Sequence, residues 1–272
     1  MNNQSQVLQV LEETSRTFYI PIVRLPEGLQ ETIASAYLCM HAIDEIEDHE
    51  KLNRTKKSNL LRETSQVLQS QHSVAGFDHD ALAKVFNRYK NLPEVTIRLG
   101  EWACHSPETI APRIWETTSE MADRMAYWVD RNWDIKTKAD LDSYTYSVAG
   151  AVGLLVCDIW AWYDNSQIDR VYAIQFGRGL QSVNILRNRT EDLKRDVDYF
   201  PSGWQEQEMF SYAGNYLNEA KSAAETMPPD PFRYFVEIPL LLADATLSAL
   251  KHGEEKLSRN DVLNLLQQIQ QQ

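Results

Sequence analysis

Cysteine is scarce: Cys39, Cys104 and Cys157 are the three in 272 residues. They lie far apart among apolar neighbours and match neither a metal-ligand spacing nor a disulfide framework. Buried thiols in a reducing, cytoplasmic setting are the expectation. Basic charge is short as well, with 27 Lys and Arg against 39 Asp and Glu, a formal net charge of −12. That deficit excludes a nucleic-acid partner, which would need a basic face. It also requires an anionic ligand to arrive with cations or to find a locally basic pocket. The longest apolar run, Val148 to Cys157, is ended by Asp158. It falls short of the about 20 residues that span a bilayer. The opening Met1-Asn2-Asn3-Gln4-Ser5-Gln6 has no basic start and no apolar stretch, so a signal peptide is not expected there. Runs of alternating polar and apolar residues are missing, which leaves no case for strands. A soluble protein is the expectation, with peripheral membrane contact left open.

What is present is helical periodicity. Hydrophobic residues make up 43% of the chain, enough for a sizeable core. From Leu25-Pro26-Glu27-Gly28 to Asp48, the apolar positions Ile33, Ala36, Tyr37, Met40 and Ile43 step by three and four, as one helical face requires. His49 to Asn59 reads as a connection into a further helix. A long apolar helix is expected from Asp142 to about Tyr163, with Gly150 and Gly153 allowing a bend or close helix contact. Ile168 to Asp192 is the next helix, and Met227-Pro228-Pro229-Asp230-Pro231 divides the last two long ones. Ser258-Arg259-Asn260-Asp261 reads as the cap of a final helix. No repeat, linker or shift in composition marks a second domain, so residues 1–272 are expected to form one all-α domain. Oligomeric state is not determined by these features.

Two acid-rich segments carry the chemistry. In His41-Ala42-Ile43-Asp44-Glu45-Ile46-Glu47-Asp48, Asp44 and Asp48 stack one helical turn apart. In Gln181 to Asp192, Asn184, Asn188 and Asp192 do the same. Like charges one turn apart cost about 0.2–0.5 kcal/mol unless something neutralises them. A hard divalent cation does so, because carboxylate oxygens suit Mg²⁺, which also bridges to phosphate oxygens. A solvated acidic face explains either segment alone; the pair, each beside apolar residues, points to metal-assisted ionisation of a diphosphate. That reaction also wants an aromatic cavity for a developing carbocation, and Phe18, Tyr144, Tyr146, Trp160, Trp162 and Phe176 are candidates.

Ser15-Arg16-Thr17-Phe18 followed by Leu25-Pro26-Glu27, then Tyr37 through Asp48, then Tyr144-Thr145-Tyr146 through Gly153, then Gly179 through Asp192 with Tyr199-Phe200-Pro201, resemble in order the motifs of the squalene/phytoene synthase family. The resemblance implies a single helical bundle of isoprenoid-synthase type with a central cavity. It also implies Mg²⁺ dependence and farnesyl or geranylgeranyl diphosphate as a small-molecule substrate. Carried over residue by residue, Asp44, Asp48 and Asp192 would hold metal. Ser15, Arg16, Thr17, Phe18, His41, Gln181, Asn184, Asn188 and Tyr199 would bind the substrate and its diphosphate. Tyr144, Tyr37 and Arg187 would act at the reacting centre.

The sequence departs from the family pattern at three places. His41 stands where the family usually has arginine, Asn188 where it has aspartate, and Val197 where it tends to have arginine. An amide brings no charge to offset Mg²⁺, and an imidazole does not grip phosphate as a guanidinium does. Head-to-head condensation of two prenyl diphosphates asks more of such a site than hydrolysis of one. The expectation from sequence is therefore a Mg²⁺-dependent prenyl diphosphate phosphatase that releases farnesol from farnesyl diphosphate. The alternative is a squalene or dehydrosqualene synthase, with NADPH needed for squalene alone. A third reading is a non-catalytic isoprenoid-binding protein.

Overall fold

A computed structural model describes residues 3–254 with Leu257, Asp261, Val262 and Leu265; of Asn3, Gln4 and Arg16 it describes the backbone alone. Ser258, Arg259 and Asn260, read above as a cap, lie outside the described residues. The described residues are mostly helix and contain no strand. The first eight helices are α1 (Asn3–Thr14), α2 (Arg16–Ile22), α3 (Leu29–Asp48), α4 (Arg54–Gln69), α5 (His79–Phe86), α6 (Glu94–Ile97), α7 (Leu99–Ala103) and α8 (Ala111–Asp130). They are followed by α9 (Lys138–Thr145), a π-helical turn over Tyr146–Gly150, and α10 (Ala151–Asp164). Then come α11 (Arg170–Lys194), α12 (Glu206–Glu225) and α13 (Pro231–Lys251). The chain divides into two compact units: Met1–Trp133 with Leu155–Gln167, and Asp134–Leu154 with Ile168–Gln272.

In the first unit α3 packs against α8, α4, α6 and α7, and α4 lies along α8. Of the expected stripe, Ile33, Ala36, Met40 and Ile43 are buried, and Tyr37 is half-buried. Trp102, Trp115 and Trp128 are almost wholly enclosed beside it. Burying an indole needs a partner for its N–H. Trp102 Nε1 donates to the Val95 carbonyl and Trp115 Nε1 to that of Ala103, both at 2.8 Å. Polar groups on the buried side of α3 are spent the same way, with Ser35 Oγ donating to the Trp102 carbonyl at 2.7 Å. The helix α4 begins inside the stretch read as a connection, because Asn53 Oδ1 accepts from the Lys56 amide at 3.0 Å and caps it.

The second unit is organised on α11, against which α9, the π turn, α12 and α13 pack. Glycine permits the closest approach. A Cβ on Gly153 would sit 2.1 Å from the Ala173 carbonyl oxygen, and one on Gly177 would sit 2.4 Å from that of Ala149. Backbones therefore touch where the sequence placed one of its contact glycines. The long apolar helix expected from Asp142 is instead α9 and α10 joined through the π turn, which inserts extra residues into the helix and re-aims its side chains. Around Asp142 the unit has a polar clamp. Lys138 Nζ donates to its carboxylate at 2.9 Å and the Tyr212 hydroxyl at 2.7 Å. Arg178 Nη2 reaches the Asp142 backbone carbonyl at 3.0 Å. The helical run Lys138–Asp164 is long and apolar enough to cross a membrane, yet 56% of its apolar window is buried, as in a core helix.

Candidate functional site

In the first unit the predicted residues gather on α2 and α3. Ser15 caps α2, its Oγ accepting from the Phe18 amide at 3.2 Å. The Ser15 and Thr14 side chains also hydrogen-bond to the Tyr37 hydroxyl. Tyr37 stands between two rings, with Phe18 at 5.6 Å and His41 at 5.9 Å between centroids. Its hydroxyl is pushed up to about 12, by burial first and then by the charges of Asp44 and Glu45. Tyr37 is thus a neutral phenol at physiological pH, a donor and not a base. His41 has its Nε2 3.6 Å from Glu45 Oε1, and burial holds its pKa below the ordinary imidazole value. Thr17 is half-buried on the same short helix; the Arg16 side chain lies outside the described residues.

About two and three turns beyond Tyr37 stand the carboxylates. Asp44 and Asp48 are both exposed. Nonetheless the Asp44 carboxyl is pushed up to about 7, by desolvation first, then by the negative charges of Asp48 and Glu45. The carboxyl is thus reachable from solvent while the protein packed around it withholds solvation. Every charge acting on Asp44 is negative, the condition that favours a proton or a metal ion. Just beneath, Glu47 is buried and receives the Trp133 indole N–H on Oε1 at 2.5 Å. Burial, with Asp48 and Asp44, pushes Glu47 up to about 8. The spacing hid this residue, since Glu47 sits off the Asp44–Asp48 face; a charged residue flanked by the apolar Ile43 and Ile46 was the available signal.

The second unit treats its motif differently. Tyr144 and Tyr199 are buried and stack with centroids 4.6 Å apart at 22°, so these two predicted residues do meet. On α11, Gln181 is half-buried and Asn184 and Arg187 are exposed. Arg187 folds back over its own motif: Nη2 donates to Asn184 Oδ1 at 2.9 Å and Nε to Asn188 Oδ1 at 3.2 Å. Asp192 is buried, and its Oδ1 is bound by Arg195 Nη2 at 2.5 Å. Glu191 is paired with Lys194 at 2.7 Å. Lys194 and Arg195, the basic residues just before Val197, are therefore engaged with the motif's own acids.

Val197 has a structural role. Helix α11 ends with Asp196 at a positive φ of 60°, the Val197 amide donating to the Asp192 carbonyl at 3.1 Å and that of Asp196 to Leu193 at 3.2 Å. This is the Schellman arrangement, which calls for an apolar residue just beyond the left-handed one. Val197 fills that position and is buried. Arg189, which the sequence reading passed over, pairs with Asp198 at 3.0 Å and lies 3.7 Å over the Phe200 ring. Of the aromatics proposed for a cavity, Trp160 and Phe176 are buried, while Trp162 Nε1 is bound to Thr109 Oγ1 at 3.0 Å.

This fold and these motifs are those of an isoprenoid-synthase-type helical protein. A squalene synthase, TcSQS in complex with the ligand E5700, matches 97% of this chain and 85% of its own, with a TM-score of 0.77 and 20% identity. A dehydrosqualene synthase in complex with a ligand matches 99% and 95%, with a TM-score of 0.64 and 15% identity. The squalene/phytoene synthase family model matches residues 11–212, and the chain belongs to that family. The squalene synthase of Schizosaccharomyces pombe is 27% identical over 264 residues, covering 94% of this chain and 53% of that protein. The chain thus spans about half the length of that relative. The family is one of prenyltransferase-type enzymes.

Proposed function

We propose that the protein is a head-to-head prenyltransferase that joins two prenyl diphosphates, of the squalene or dehydrosqualene synthase kind. This replaces hydrolysis, expected from the sequence, as the leading reading. The observation that carries it is the exposed Asp44–Asp48 pair, set on one helix with a neutral tyrosine in a chain whose similar proteins are squalene and dehydrosqualene synthases. Asp44 and Asp48 suit Mg²⁺: oxygen donors a turn apart, accessible, with only negative charge acting on Asp44. Mg²⁺ held there would neutralise a diphosphate and make it a better leaving group.

The chain's own residues account for the rest. Tyr37, kept protonated by burial and hydrogen-bonded to Ser15 and Thr14, offers a hydroxyl donor on the helix that carries the acid pair. Within the first unit Phe18 beside Tyr37, and within the second the stacked Tyr144 and Tyr199, offer ring faces of the kind that stabilise allylic cationic charge. His41, held neutral, adds no positive charge to the diphosphate side. Making squalene in place of dehydrosqualene would require a nicotinamide reductant. Hydrolysis stays as a second reading on one observation, the Asn184–Arg187–Asn188 clasp, which leaves the second motif without free carboxylate charge. The deciding experiment incubates purified protein with farnesyl diphosphate and Mg²⁺, with and without NADPH, and identifies extracted products by mass. A C30 hydrocarbon or C30 diphosphate supports condensation. A C15 alcohol alone supports hydrolysis and sinks the main proposal.

A further inference from the structure

We infer that the α11 motif is an anion-binding surface, on which Arg187 with the amides of Asn184 and Asn188 receives diphosphate oxygens directly, without a divalent cation of its own. The inference rests on the prenyl-diphosphate reading of the same site. It starts from a fact about arginine: a guanidinium has donors and no acceptor. The two amide groups that meet Arg187 must therefore turn their oxygens to it, as the contacts at 2.9 Å to Asn184 Oδ1 and 3.2 Å to Asn188 Oδ1 show. In a planar amide the NH₂ group then points away from the arginine. What the trio offers a ligand is N–H: two amide NH₂ groups and Arg187 Nη1.

Such a surface is wrong for Mg²⁺, which takes oxygen donors in a strict octahedral shell. The carboxylate that completes the i, i+4 row does not correct it. Asp192 is buried and bound by Arg195 at 2.5 Å, within a helix end fixed by Asp196 and Val197. The neighbouring Glu191 is paired with Lys194. The same surface is right for a phosphoryl oxygen, which seeks charged, forked donors. Arg187 is exposed and so within reach of a ligand. Replacing aspartate by Asn188 thus does more than remove a charge; it lets one arginine convert an acceptor row into a donor row.

The test uses the full chain and two probes, inorganic diphosphate titrated in EDTA and Mg²⁺ counted per chain at saturating inorganic diphosphate. Wild type should bind diphosphate without metal. Arg187→Ala should weaken that binding about tenfold or more, the loss of charged hydrogen bonds. Asn188→Asp should weaken it too, while raising the Mg²⁺ count. No metal-free binding by wild type, an Arg187→Ala affinity within about twofold of wild type, or equal Mg²⁺ counts for wild type and Asn188→Asp would each overturn the inference. Should Arg187→Ala fail to fold, Arg187→Gln is judged by the same criterion. Arg187-dependent binding without any C30 product would refute the proposed function and leave this inference standing. A C30 product without such binding would do the reverse.

Discussion

On α3, Asp44 and Asp48 stand exposed, with Glu45 adding to the negative charge and no cation among the groups that set the Asp44 pKa. On α11, the equivalent row is two amides clasped by Arg187 and one buried aspartate bound to Arg195. The two rows have the same helical spacing and opposite charge accounts. In the first, only negative groups act on the Asp44 carboxyl, the condition that favours binding a cation. The other is neutralised internally before any ligand arrives. Spacing alone therefore does not make a metal motif; what neutralises the carboxylates does.

This contrast can be broken from either side. The largest effect should come from Asp48→Ala, which removes half of the α3 pair. Loss of metal-assisted ionisation should lower turnover of farnesyl diphosphate by about 10³-fold or more, measured as diphosphate release. Retained turnover would move the metal elsewhere. Asp192→Ala should act first on the fold, because it leaves Arg195 without its partner at the buried end of α11. A loss of about 1–3 kcal/mol is expected in metal-free buffer, read by denaturant melts. A purely metal-binding Asp192 would show no such cost.

Acidity separates the motifs too. With the Asp44 carboxyl at about 7, a proton competes for it, so apparent Mg²⁺ affinity should be full above that pH and lost as pH falls. From pH 8 to 6 the drop should be about tenfold, and Asp44→Asn should flatten the profile. The same rise has a stability counterpart at Glu47. Its folded value, about 8, lies above the ordinary carboxyl value, so the folded state binds the extra proton. Stability of the metal-free protein should then decline as pH rises from about 5 to 8, with Glu47→Gln removing most of that slope. The smallest effect expected is on products. Asn188→Asp should raise the C30 share a few-fold, and an unchanged ratio would remove Asn188 from the explanation.

Much of this was legible from residue order. The helical class and the buried Ile33, Ala36, Met40 and Ile43 of α3 follow from three- and four-residue steps; Asp44 and Asp48 lie one turn apart on that helix and are exposed. Gly153 was read as a contact glycine, and a Cβ there has no room. The π turn at Tyr146–Gly150 was not readable, because the same apolar residues satisfy an unbroken helix. Nor was the fate of the α11 charges. Whether Arg195 reaches Asp192 depends on how the helix ends, and that is set by a left-handed Asp196 and a buried Val197, which in sequence looked like a missing arginine. Glu47 was hidden for a related reason: its partner Trp133 lies 86 residues away.

The asymmetry between the rows is tested most directly by Mg²⁺ binding to the free protein at pH 8, compared for wild type, Asp48→Asn and Asp192→Asn by calorimetry. Binding lost in Asp48→Asn and kept in Asp192→Asn is the predicted result. Equal loss in both variants would mean that α11 holds the metal as α3 does, and would contradict the account.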